Sequence, residues 1–325
     1  MNPLPEIPPL TVLDHFAPHT RGLAWARAPG GFSGARVWRG TSQNTPLVAL
    51  KAWSIDTSAE HVRQVHSWIA RAAHLPFVPR VFAGAGGHTV FVEAGRVWDC
   101  VRWMPGAPRS TPTTEEVARA CEAVAQLHSA WAFAPKPGPC PGVLNRLRVL
   151  EENAPLLAAG PKALPPVAQH LDALLQRALT VSARLAPLVT RSLRVWGEHT
   201  FALQPCVRDL RGEHVLFEDA RVSGIIDFGA ANVDHPAGDI ARLLTDFAGT
   251  DETLFSVGVN AYRGARPAFD APDEFVRVLA RSGAVCSLIG WLVRFAVRRE
   301  VFADPLAVAA RLDSLLVRVE EFSHI

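Results

Sequence analysis

The stretch CVRDLRGEHVLFEDARVSGIIDFG, residues 206–229, decides how this chain is read. Two short apolar runs, HVLF and VSGII, flank the polar residues Glu218-Asp219-Ala220-Arg221, the pattern of a hairpin with a tight turn. Asp209 stands before the first run and Asp227 after the second. A two-stranded ribbon returns both its ends to one side, so the pattern predicts a pair of carboxylates at one mouth. Such a pair divides its labour: one accepts a proton from an attacking hydroxyl, and the other holds a divalent cation through oxygen. A turn aspartate and a helix-cap aspartate would be the inert alternative.

The remaining 300-odd positions supply a frame for that pair. The chain has 325 residues, 49% of them hydrophobic, enough for one large or two modest domains with a sizeable core. Lys and Arg number 33 against 31 Asp and Glu, so no global field favours nucleic acid or a membrane surface. Cys100, Cys121, Cys140, Cys206 and Cys286 are scattered and form no CxxC pair, which suits reduced thiols in a cytoplasmic protein. The opening MNPLPEIPPLTVLDHF has no basic segment before an apolar one, and its prolines oppose a signal helix. The longest apolar run, GAVCSLIGWLVRFAV at 283–297, contains Arg294 and is shorter than the roughly 20 residues of a membrane span, so it reads as a buried helix.

From about residue 22 to 103 the text is strand-like: GLAWARA, ARVWRG, PLVALKAW, RVFAGA, HTVFVEA and RVWDCVRWM, separated by glycines and polar turns. One helix interrupts it, from about Ser58 to Ala73, with Thr57 and Glu60 in capping-box spacing and Val62, Val65, Ile69 and Ala72 at helical period. After MPGAP at 104–108 the pattern turns helical. TTEEVARACEAVAQLHSAW opens on Thr113 or Thr114 as a cap, the Pro-rich FAPKPGPCPGV breaks the pattern at 133–143, and amphipathic segments follow to about Leu193. The one clear return to strand is the hairpin above, before late helices at about 236–249, 252–262, 272–299 and 304–321. These signals predict an α+β chain in two parts: 1–103, a small antiparallel-sheet lobe with one helix, and 104–325, a larger, mainly helical lobe.

Two further pieces carry chemistry. In APGGFSGARVWRG, residues 28–40, the Gly30-Gly31-Phe32-Ser33-Gly34 turn would let backbone N–H groups approach phosphate oxygens, although hairpin turns are commonly glycine-rich for structural reasons alone. Lys51, inside the apolar strand LVALKAW, needs an anionic partner if its ammonium is buried, or else reaches solvent.

The order Gly-rich turn, strand lysine, helix, helical lobe, RDLRGEHVLF and IIDFG resembles the protein-kinase set of parts. It is most similar to the aminoglycoside phosphotransferase and choline-kinase-like family, to which VAQLHSAW at 124–131 and DHPAGDIARLL at 234–244 also correspond. The resemblance runs from about 22 to 300. It implies a bilobal protein-kinase-like fold in which 1–103 binds nucleotide and 104–325 carries the catalytic loop and acceptor site. It also implies ATP with Mg2+ as cofactors and a small-molecule hydroxyl as acceptor. Carried over, Lys51 would contact the α- and β-phosphates, with Gly31, Ser33 and Gly34 over the phosphates. Asp209 would be the base, Asp227 a metal ligand, and Asp239 a support for the catalytic loop. Adenine would lie against backbone near Val101, Trp103 and Met104.

The pattern departs from the family at two points. Where the family reads His-Gly-Asp, this chain has Val207-Arg208-Asp209, with Arg208 as in the H-R-D form of protein kinases. Where it has Asn, five residues on, this chain has His214: either it ligates a softer ion such as Mn2+, which an imidazole suits better than Mg2+, or it stands outside the ion's ligands and a water fills the place. Glu60 is the candidate partner of Lys51 on the helix, with Glu93 as an alternative, and His128 reads as a satisfied core histidine. His61, His66 and His74 lack metal-binding spacing, and Arg294 to Arg299 read as a solvated helix end. Acids between 144 and 200 are few, Glu151, Glu152, Asp172 and Glu198, a thin set for a cationic aminoglycoside. The expected activity is ATP-dependent phosphotransfer to a small alcohol, without nucleic acid or membrane partner. The rival reading is a catalytically degenerate nucleotide-binding or scaffold protein. A protein kinase is disfavoured because no activation segment fits between Asp227 and Asp239.

Overall fold

The computed structural model describes residues 6–29, 34–133, 136–167, 169–302 and 304–322. Two compact units emerge: residues 1–110 with 129–131 and 213–232, and residues 111–128 with 132–212 and 233–325.

In the first unit, α1 (Leu10–His15) and α2 (Ala17–Thr20) precede β1 (Ala24–Arg27), β2 (Arg36–Ser42), β3 (Thr45–Ala52), α3 (Ala59–Arg71), β4 (Phe91–Glu93) and β5 (Arg96–Arg102). The strands form an antiparallel sheet in the order β1-β2-β3-β5-β4. Alternation along β3 sorts its side chains. Leu50 and Ala52 join Trp38, Trp98 and Cys100 in a core covered by Val12 and Phe16 of α1. Lys51 and Trp53 take the opposite face, where Trp53 packs with Val62 of α3 and with Val90 and Val97. The hairpin is present as β8 and β9 of the full chain: Val215–Glu218 pairs with Arg221–Ile225 around Asp219 and Ala220, and Asp219 has a φ of 54°. It is tied to the segment after β5, because Ala107 and Phe217 exchange both backbone hydrogen bonds. Gly106 (φ 90°) permits this approach, since a Cβ there would lie 2.6 Å from the Phe217 carbonyl oxygen.

The second unit is mainly helical: α4 (Thr114–Trp131, whose last turn groups with the first unit), α5 (Pro141–Ala159), α6 (Gln169–Arg194), α7 (Ala237–Phe247), α8 (Glu252–Ala265), α9 (Asp273–Ala296) and α10 (Pro305–Phe322). Thr113 caps α4 in a reciprocal box, accepting from Glu116 N–H while its own N–H donates to Glu116 Oε2. The apolar run that reads as a buried helix lies in α9. That helix is long and apolar enough to cross a membrane by length and composition, yet Phe275, Leu279, Leu288, Ile289 and Leu292 are buried against α5, α6, α7 and α10.

Several expectations need correction. RVFAGA at 80–85 is not a strand; only a single bridge joins Val81 to Val101, because Pro79 precedes it and Gly86 and Gly87 turn the chain with positive φ. The helix cap is Ser58, whose Oγ accepts from His61 N–H, so the Thr57–Glu60 box does not form. The hairpin is not the only later sheet. A three-stranded sheet in the order β10-β7-β6 joins Asn232–Asp234, Thr200–Cys206 and Lys136–Pro139. The prolines of Lys136–Pro139 read as breakers in sequence, but that strand lies at the edge of the sheet, where a missing donor is tolerated.

Candidate active site

Within the first unit, the close of the hairpin brings two site residues together. Ile226 N–H donates to the His214 carbonyl, and the next residue, Asp227, is turned by a left-handed φ of 58°. Such a conformation costs a non-glycine residue about 1–3 kcal/mol and collects at functional sites. Lys51 Nζ donates to Asp227 Oδ1 at 2.8 Å, and His214 Nε2 lies 3.8 Å from Asp227 Oδ2. Gly229 keeps this corner open, because a Cβ there would sit 3.1 Å from Asp227 Oδ1 and 3.3 Å from Lys51 Nζ. The Lys51 ammonium also lies 4.3 Å from the centre of the Trp53 ring. Lys51 is the main reason the Asp227 carboxyl is held down to about 2, with His214 adding to the effect and burial opposing it.

Gly31 and Ser33 lie outside the described residues, while Gly34 adopts a φ of 78° and its carbonyl accepts from Arg96. Glu60 is exposed in the first turn of α3, and the Lys51 ammonium rests on Asp227 instead. The face of α3 towards the sheet carries His66, whose Nε2 is 3.0 Å from Asp99 Oδ2, an oxygen that also accepts from Trp53 Nε1. Asp99 is the cross-strand neighbour of Lys51. Val101 pairs with Ala49, and Trp103 N–H is committed to the Leu47 carbonyl.

In the second unit, Asp209 lines a cavity of about 270 Å³ with Arg146, Arg208, Asp234, Arg242 and Ser287 among its other walls. Its side chain is 45% exposed, and its Oδ1 lies 3.1 Å from Arg211 Nε and 3.6 Å from Arg242 Nε. Arg242 also reaches Asp246 at 3.1 Å, and Asp246 accepts from Gly212 N–H and from Arg318. Although burial by itself would raise it, Arg242 and Arg318 hold the Asp246 carboxyl below its usual range.

The loop carrying Asp209 is built on Asp239. Both carboxylate oxygens of this fully buried residue accept backbone bonds at 2.6 Å, Oδ2 from Val207 N–H and Oδ1 from Arg208 N–H. They hold Arg208 at a φ of 68° just before Asp209. His128, also fully buried, stands 3.0 Å from Asp239 Oδ2 and 2.8 Å from the Tyr262 hydroxyl. Burial lowers its pKa, so it is neutral, donating through Nε2 to Asp239 and accepting at Nδ1 from Tyr262. It is thus a satisfied core histidine, and one that braces the loop.

Sequence reasoning missed Asp234, Arg242 and Arg146. Asp234 Oδ1 accepts from the N–H groups of Gly142 and His235, and Oδ2 lies 3.1 Å from Arg208 Nε. Its place in DHPAGD, five residues before Asp239, was the available signal.

A family model described as "Phosphotransferase enzyme family" matches residues 24–275. A homoserine kinase from Methylocella silvestris is 29% identical over 216 residues, or 64% of this chain and 59% of that protein. The chain therefore spans less than two thirds of that relative's length. Among solved structures, an amicoumacin kinase in complex with AMP-PNP and Ca2+ superposes with a TM-score of 0.62 at 13% identity, covering 94% of this chain and 91% of the other. A microcompartment-associated aminopropanol kinase gives a TM-score of 0.61 at 15% identity, with 96% and 95% covered. The architecture is the protein-kinase-like α+β fold of these enzymes.

Proposed function

The chain belongs to the phosphotransferase enzyme family, and from that premise we propose that it transfers the γ-phosphate of ATP to a hydroxyl of a small molecule. The observation that carries this reading is the Lys51–Asp227 contact at 2.8 Å on a strained backbone, a cation and an anion kept together beside His214. Lys51 binds the α- and β-phosphates, and the Gly34 turn covers them. Adenine lies along the backbone at Val101 to Met104. Glu60 is too exposed to anchor Lys51, and we assign it no contact with the nucleotide.

The donor set at Asp227 and His214, one carboxylate and one imidazole, fits a divalent ion with some softness, such as Mn2+, as well as Mg2+. That ion, when bound, supplies neutralisation of phosphate charge. Asp209 accepts the proton of the acceptor hydroxyl as its oxygen bonds to the γ-phosphorus and the bond to the β-phosphate oxygen breaks, releasing ADP. Arg208 holds the loop through Asp234.

The acceptor is small. The Asp209 cavity, about 270 Å³, falls just below the roughly 300–1,000 Å³ range of ligand sites, and none of Glu151, Glu152, Asp172 and Glu198 lines it. A cationic aminoglycoside is thereby disfavoured, and homoserine, the acceptor in the name of the Methylocella relative, is the first alcohol to try. The five free cysteines suit a reducing cytoplasmic setting.

Calorimetry with ATP and Mg2+, then Mn2+, on the wild type and on Asp227→Ala tests this reading. Metal-dependent binding that disappears in the variant supports it. Absence of nucleotide binding with either metal would overturn it in favour of a non-catalytic scaffold.

A further inference from the structure

Resting on the phosphotransfer reading, we infer that the acceptor carries a carboxylate: it is a small hydroxy acid whose carboxylate is held by Arg146.

Charge accounting in the Asp209 cavity leads there. Three arginines and three aspartates line it. Arg208 is neutralised by Asp234, and Arg242 is shared between Asp209 and Asp246. Asp239 is consumed by two backbone N–H groups and His128. Asp234, besides Arg208, satisfies the N–H groups of Gly142 and His235. Arg146 is the exception. Its side-chain contact is one bond from Nη1 to the Gly142 carbonyl at 2.9 Å, and it makes no ion pair among the described residues. A half-buried guanidinium with four N–H donors left and no carboxylate of its own is a site awaiting a planar anion.

The fork is also positioned. Arg146 lies on α5, one turn after Gly142, whose carbonyl fixes Nη1. Across from it on α9, Gly283 lacks the Cβ that would press within 3.3 Å of Nη2. On the same helices Gly142 has no room for a side chain either, because a Cβ would lie 2.9 Å from Nη1. Two glycines therefore make space for the guanidinium at the wall of the cavity that holds Asp209. A guanidinium in this setting favours a carboxylate, which it grips with two parallel bonds, over an amide or alcohol of similar size. The acceptor then spans the cavity with its carboxylate on Arg146 and its hydroxyl at Asp209.

The test uses matched pairs of primary alcohols differing in one group: homoserine and homoserine amide, 4-hydroxybutyrate and 4-hydroxybutyramide, glycerate and glyceramide. ADP release at saturating ATP is measured on the wild type, Arg146→Gln and Arg146→Lys, with ATP affinity and thermal midpoint recorded for each. Turnover confined to a carboxylate member is expected, with its KM raised about 10- to 100-fold in Arg146→Gln, the loss of a charge-assisted contact. Arg146→Lys should recover part of that loss, and ATP affinity should not move. Equal or better turnover of an amide member, or an unchanged KM in Arg146→Gln, overturns the inference. So does turnover of no carboxylate by a protein that binds ATP, an outcome that leaves the phosphotransfer reading standing. Failure to bind ATP at all removes both.

Discussion

Lys51 and Asp227 stand 176 positions apart in sequence and form a 2.8 Å ion pair on one unit of the fold. The pair sets the acid behaviour of this corner. Asp227 titrates at about 2 in the folded protein against an ordinary 3.8, chiefly because of Lys51. A depressed folded pKa contributes stability that is fully present above the unfolded value and is lost as pH falls through the folded one. The stability gap between the wild type and Lys51→Met should therefore be constant above about pH 5 and shrink below pH 3.8, as read by urea denaturation at each pH. A gap that widens on acidification would contradict this pairing.

Asp209→Asn keeps the shape of the side chain and removes its basicity. Turnover should fall about 10²- to 10⁴-fold, the usual contribution of a positioned base, while ATP affinity stays within about threefold. Arg242→Ala should act on the same step through position, since Arg242 ties Asp209 to Asp246. A lower kcat with unchanged ATP affinity is expected, and wild-type turnover by Asp209→Asn would remove Asp209 from the chemistry.

His214 faces Asp227 across 3.8 Å, at the position where the resemblance to the aminoglycoside phosphotransferase family implies asparagine. Replacing it by Asn exchanges an imidazole for a harder oxygen donor. The ratio of kcat/KM with Mn2+ to that with Mg2+ should drop in His214→Asn. An unchanged metal profile would place His214 outside the ion's ligands.

The buried His128–Asp239 pair links stability to pH in a different range. Burial, the largest influence, lowers the His128 pKa from its ordinary 6.5. The unfolded chain then binds more protons than the folded one below that value, so stability is full above about pH 6.5 and declines as pH falls. Asp239→Ala should cost about 3–5 kcal/mol, because it strands a buried histidine and the N–H groups of Val207 and Arg208. Denaturant melts from pH 5 to 8 on the wild type and on this variant would check both statements. A wild type whose stability is independent of pH would show that His128 does not titrate as burial dictates.

Local physics alone settled a good deal of this protein. The hairpin was legible because alternation along Val215–Glu218 and Arg221–Ile225 and a two-residue polar turn act within a dozen positions. The late helices were legible for the same reason; Asp209, Asp227 and Lys51 stood out as charges set against apolar runs, with roles that only the family resemblance supplied. The strand at Lys136–Pro139 was not, because its prolines argue locally against a sheet whose edge accepts them. Tertiary structure decided which charges are spent and which are free. Arg208 is neutralised by Asp234 and its N–H satisfied by Asp239, across 26 or more residues, and Arg146, beside Gly142 of its own helix and Gly283 of α9, makes no ion pair among the described residues. Periodicity records which face of an element is apolar, but a salt bridge between distant segments depends on distances of a few ångströms that only the packed chain defines.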